Sequence, residues 1–65
     1  MKNTSNYQKA KTELKETANH VKKHYPNDKA LIRQSINDKA YFLQYNLTPY
    51  QIELLHNYAC KLHPN

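Results

Sequence analysis

Residues 29–47 read KALIRQSINDKAYFLQYNL, and the way this stretch distributes its apolar side chains decides the fold. At about 3.6 residues per turn, Ile32, Ile36, Ala40 and Leu43 fall on one face. Their spacing of i, i+4, i+8 and i+11 is that of a core-facing helical stripe. Leu31 and Phe42 lie off the stripe on a second face, with Ser35 and Asp38 between them. Tyr41 and Tyr45 lie on a third side. A helix that is apolar on several sides is covered on several sides. The stretch therefore reads as the middle helix of three, covered by its own flanking helices or by a second protein molecule. Asn46 suits the left-handed turn that ends a helix where glycine is lacking, and this chain has no glycine.

Upstream, Tyr7, Ala10, Leu14, Ala18, Val21 and Tyr25 form a narrow apolar stripe at helical period. Ser5 followed by Gln8 fits a capping box that opens this helix. Pro26 closes it, because the residue before a proline is pushed out of helical geometry. Asn27 or Asp28 then caps the central helix, whose positive end favours the Asp. Downstream, LTPYQI (47–52) is the strongest local signal. Thr48 stands at N-cap, Pro49 at N1 and Gln51 at N3, with Leu47 and Ile52 placed as a hydrophobic staple. Ile52, Leu55, Ala59 and Leu62 face inward, flanked by Leu54 and Tyr58. The reading is an all-α, compact three-helix bundle with helices at roughly 5–25, 28–45 and 48–62. A short turn joins helices 2 and 3, and the layout resembles a helix-turn-helix. Residues 1–4 are expected to be a flexible N-terminus and 5–63 a single domain.

A chain of 65 residues buries only about 60% of its extended surface and is marginal, so a partner is a common source of extra stability. The lone Cys60 cannot form an internal disulfide and suits a reducing, cytoplasmic setting. No apolar run approaches the ~20 residues that span a bilayer, so no membrane partner is expected. Net charge is +5 and the isoelectric point about 9.4. This balance favours an anionic partner, although a charge this small also serves solubility. Nine of the ten cations are Lys, the exception being Arg33. Bidentate base or phosphate recognition leans on Arg, so the balance favours non-specific attraction. The Asn, Lys and Tyr bias follows from AT-rich coding alone, so the number of Tyr is not itself a sign of base stacking. Small size, this bias and basic charge are together typical of accessory proteins of phages and plasmids.

Catalysis finds little support. Cys60 has only His56 nearby as a base, and three short helices offer little concavity. The five acidic residues form no carboxylate pair, and without glycine there is no phosphate loop. The chain is read as a non-enzyme without a cofactor. His20 and His24 are one turn apart, as are His56 and Cys60, with His63 three further on; such spacings put ligands on one side of a helix. Cys60 points to the back of helix 3, however, and surface histidines are the commoner explanation. The sequence leaves metal binding by either group open.

Two binding classes remain. Lys11, Lys15 and Lys22 share one flank of helix 1 and make a basic strip about 17 Å long at 1.5 Å rise per residue. Such a strip fits a phosphate backbone. With Lys9, Lys23 and Arg33 it points to nucleic acid, DNA more than RNA. Helix 3 adds Tyr50, Gln51, Asn57 and Lys61, of which Gln and Asn can pair with adenine edges and Lys can reach a phosphate. Glu53 on that helix opposes phosphate contact. Tyr41, Tyr45 and Tyr50 are in reach of stacking on bases, but partly buried packing with a wet hydroxyl is the commoner use. The leading reading is a small basic DNA-binding or DNA-transaction accessory protein, a homodimer or a subunit of a larger complex. The other class is a protein–protein adaptor or inhibitor docking on a host or replication protein. It would use the apolar and aromatic residues Leu31, Tyr41, Phe42 and Tyr45.

Overall fold

The computed structural model describes residues 6–64. They form α1 (Asn6–His24), α2 (Lys29–Leu43), a 3₁₀ turn (Gln44–Asn46) and α3 (Pro49–Leu62), an all-α three-helix bundle. The expected flexible residues 1–4 and the Ser5 cap lie outside the described residues.

Each boundary has a local cause. α1 ends one residue short of expectation, since Tyr25 must leave helical geometry before Pro26. Tyr25 N–H still donates to Val21 O at 2.8 Å, and Asp28 N–H to Tyr25 O at 3.1 Å. Tyr25, expected on the core stripe, is 53% exposed because the chain has turned away there. Of the two candidate caps for α2, Asp28 is the one used: Oδ1 accepts from Leu31 N–H at 3.0 Å. Thr48 and Gln51 close the capping box of α3 from both sides. Gln51 N–H donates to Thr48 Oγ1 at 3.2 Å, and Thr48 N–H donates to Gln51 Oε1 at 3.1 Å.

The end of α2 departs from expectation. No described residue has positive φ, so Asn46 makes no left-handed cap. The helix instead tightens into the 3₁₀ turn, and Leu47 swings to extended geometry with its N–H on Gln44 O at 3.0 Å. A 3₁₀ turn satisfies the last carbonyls as a left-handed residue would, without the cost of positive φ in a chain lacking glycine.

The core consists of Ala10, Leu14, Ala18 and Val21 from α1, Ile32, Ile36 and Ala40 from α2, and Leu55 and Ala59 from α3. Tyr7, Leu31, Leu43, Leu47, Tyr58 and Leu62 pack around it. Alanines on all three helices shorten the approach between axes, leaving Leu14, Ile32, Ile36 and Leu55 as the largest fully buried side chains. Ile52, expected inward, is only half-buried.

Chain direction follows from three contacts. Asn6 Nδ2 donates to Asn46 O at 3.3 Å, tying the start of α1 to the end of α2. The Lys11 ammonium sits 5.0 Å from the Tyr58 ring centroid, and His63 Nε2 lies 2.8 Å from Asn37 Oδ1. α2 therefore runs back along α1, and α3 returns in the sense of α1. The flanking helices do not enclose α2. Leu31 is half-buried against the core, but Tyr41, Phe42 and Tyr45 are 63, 66 and 77% exposed. Of the two covers expected for an all-round apolar helix, its own flanking helices do not reach these three.

Candidate nucleic-acid interface

The two flanks of α1 face different helices and differ in charge. One flank faces α2: Glu13 pairs with Lys39 at 3.6 Å. There Glu13, Glu16, Thr17, His20 and Lys39 line an open depression of about 360 Å³. The other flank faces α3 and holds Lys11, Lys15 and Lys22. Lys11 lies over Tyr58, and the charge of Lys22 acts on His63. Lys15, one turn beyond Lys11, lies between these two points, and Lys61 is one turn along α3 from Tyr58. The α1–α3 seam is thus edged by lysines along its length.

The acidic residues sit elsewhere. Glu13 and Glu16 line the α2-facing depression, and the Asp28 carboxylate is engaged at the start of α2. Asp38 and Glu53 are exposed; their helical positions put Asp38 on the outward face of α2 and Glu53 on the outward face of α3, away from Tyr58.

The residues proposed from sequence for nucleic-acid contact divide into those on the seam and those off it. Lys11, Lys15 and Lys22 form one line, and Lys61 is exposed on α3, three residues beyond Tyr58. Arg33 joins their far end, since it lies one turn from Asn37, which holds His63. Lys9 instead lines a smaller depression between α1 and α2 with Glu13 and Leu43. Lys23 is exposed on the outer side of α1, on the side of Glu16 and His20. Tyr50 and Asn57 are exposed on α3. Gln51 Oε1 is committed to the capping box, so a bidentate grip on adenine would cost the helix its cap.

Of the residues proposed for partner contact, Leu31 is separated from the rest by packing on the core. Tyr41 and Phe42 at the end of α2 and Tyr45 in the 3₁₀ turn are all exposed. Tyr50 at the start of α3 is 70% exposed. These exposures overturn the expectation of partly buried tyrosines with only the hydroxyl wet. Sequence reasoning missed Lys39, which bridges Glu13 and lies 5.5 Å from the Phe42 ring centroid. Its signal was the i, i+3 spacing to Phe42.

The candidate metal groups do not assemble. Among the described residues no group of three or more His, Cys, Asp or Glu converges. His20 and His24 stack with ring centroids 4.3 Å apart. His56 and His63 are each held by a different amide, His56 Nε2 lying 2.9 Å from Gln44 Oε1. Cys60 is exposed. The His63 pKa is lowered from 6.5 by burial, then by the Arg33 and Lys22 charges. No helix among the described residues is long and apolar enough to cross a membrane. No protein-family model, curated protein or solved structure matches the chain.

Proposed function

We propose that the protein is a small DNA-binding accessory protein that holds the phosphate backbone along its α1–α3 seam. One observation carries the reading: Lys11, Lys15 and Lys22 make a line on the flank of α1 opposite Glu13 and Glu16, and Arg33 joins its far end, with no carboxylate among the four, while Lys9 and Lys23 lie on the acidic side. Contact of this kind is mainly electrostatic and weakly selective for sequence. It matches a surface built from Lys with a single Arg, and a Gln51 already used as a cap.

The test is charge reversal in two variants of equal net charge. Binding of a labelled DNA duplex is followed by fluorescence anisotropy at low salt. Lys15→Glu with Lys22→Glu should weaken binding far more than Lys9→Glu with Lys23→Glu, although both pairs change the charge equally. Equal losses would mean the seam has no special role.

A second reading rests on a separate observation, the exposed Tyr41 and Phe42 on α2 and Tyr45 in the 3₁₀ turn that follows. Aromatic anchors in a polar rim suit a protein partner, either a second copy or a host or replication protein. In this reading Phe42→Ala weakens a complex or self-association more than it destabilises the monomer, as read by sedimentation of the free protein and by urea unfolding.

A further inference from the structure

We propose that Lys22, Arg33 and His63 form a phosphate-binding site at the end of the bundle where α1 finishes, α2 begins and α3 finishes. The inference rests on the nucleic-acid reading and deepens it, naming the point at which a strand phosphate is gripped rather than merely attracted.

Three helices bring these groups together. Arg33 and Asn37 are one turn apart on α2, and Asn37 Oδ1 holds the His63 ring through Nε2 at 2.8 Å. Asn37 Oδ1 is an acceptor, so Nε2 carries the proton of the neutral ring, and further protonation would occur at Nδ1. Lys22 lies on the α1 flank that carries Lys11 against α3, and burial first, then the charges of Arg33 from α2 and Lys22 from α1, lower the His63 pKa, with no carboxylate among the causes. Asp28, five residues before Arg33, has its carboxylate on Leu31 N–H, and Asp38, five residues after it, falls on the outward face of α2. Arg33 is exposed, while Lys22 and His63 are half-buried, so the group is reachable from solvent.

Gathering cations without a counter-charge costs stability unless an anion relieves it. Phosphate fits the donors present. The guanidinium offers a planar fork for two phosphate oxygens, the ammonium a compact charge, and the imidazole, with Nε2–H already on Asn37, a charged donor at Nδ1 once it takes up a proton. The single arginine of a lysine-rich chain stands where such a fork is useful. Burial and the two neighbouring charges keep His63 neutral near pH 7 in the free protein. A phosphate placed among the three reverses the sign of the local field, so binding is accompanied by proton uptake at His63.

Proton NMR of the histidine ring resonances, titrated from pH 8 to 5 at low salt, tests this with and without a 12-base-pair duplex. The duplex is expected to raise the His63 midpoint by about one unit, which makes binding about tenfold tighter at low pH than at high pH. Arg33→Ala should remove that rise, while Lys15→Ala should weaken binding yet leave the rise intact. A duplex that binds without moving His63, or an unchanged rise in Arg33→Ala, overturns the site and leaves the seam standing. Absence of duplex binding across the whole pH range overturns the nucleic-acid reading itself. Polyglutamate raising His63 as far as the duplex does would overturn the assignment to phosphate in favour of an acidic protein.

Discussion

Replacing Leu14 with alanine strikes the point where all three helices meet, and its cost can be bounded from the structure. Leu14 is fully buried. Large-to-small changes at such sites cost about 2.7–5 kcal/mol, because lost transfer energy adds to the cavity left behind. A 65-residue chain at roughly 0.05–0.15 kcal/mol per residue has about 3–10 kcal/mol in total. Leu14→Ala should therefore remove about a quarter or more of the stability. The internal control is Phe42→Ala, also apolar and larger, but 66% exposed. The covered third of a ring of roughly 200 Å² gives at most about 1.7 kcal/mol at 25 cal/mol/Å². Urea unfolding followed by far-ultraviolet circular dichroism reads both, the chain having no Trp. Leu14→Ala should lower the midpoint sharply with an unchanged slope, and Phe42→Ala only slightly. A Phe42→Ala cost equal to or above that of Leu14→Ala would refute the core assignment and mean that α2 faces the other way.

Thr48→Ala removes the acceptor for Gln51 N–H and should cost about 1 kcal/mol in the same assay, with Thr48→Ser restoring most of it. Lys39→Ala breaks the partly exposed pair with Glu13 and should change stability by less than about 1 kcal/mol, the change shrinking in high salt. Because the His63 pKa is lowered on folding, the unfolded chain takes up that proton first. His63 therefore contributes stability above pH 6.5, and the contribution is lost as pH falls through the folded pKa. His63→Asn should flatten the decline in thermal midpoint between pH 7 and 5; an unchanged decline would show that His63 does not carry it.

The core was legible because helical periodicity fixes which side chains share a face. Every residue that is buried, from Ala10 to Ala59, lies on one of the three apolar stripes. The α3 cap was legible because Thr48, Pro49 and Gln51 act within one turn. What the stripes do not encode is how far a neighbouring helix extends over an off-stripe residue. Leu31 and Phe42 share one side of α2, yet the first packs on the core and the second is left in water. The same holds for the candidate site. The line of Lys11, Lys15 and Lys22 follows from spacing on one helix. The meeting of Lys22, Arg33 and His63 depends on how three helices dock, and nothing local to any of them announces it. Asn46 failed for a different reason: two backbone solutions close a helix end, and residue type alone favoured the one not used.

The salt dependence of duplex binding tests the seam most directly. Each neutralised phosphate contributes about −0.9 to the slope of log K against log salt, so three to five seam cations predict a slope of about −3 to −4.5. The Lys15→Glu, Lys22→Glu protein should lose about two units of that slope. A duplex affinity that is flat in salt, or no detectable binding at low salt, would contradict the account and leave the aromatic face of α2 as the working surface.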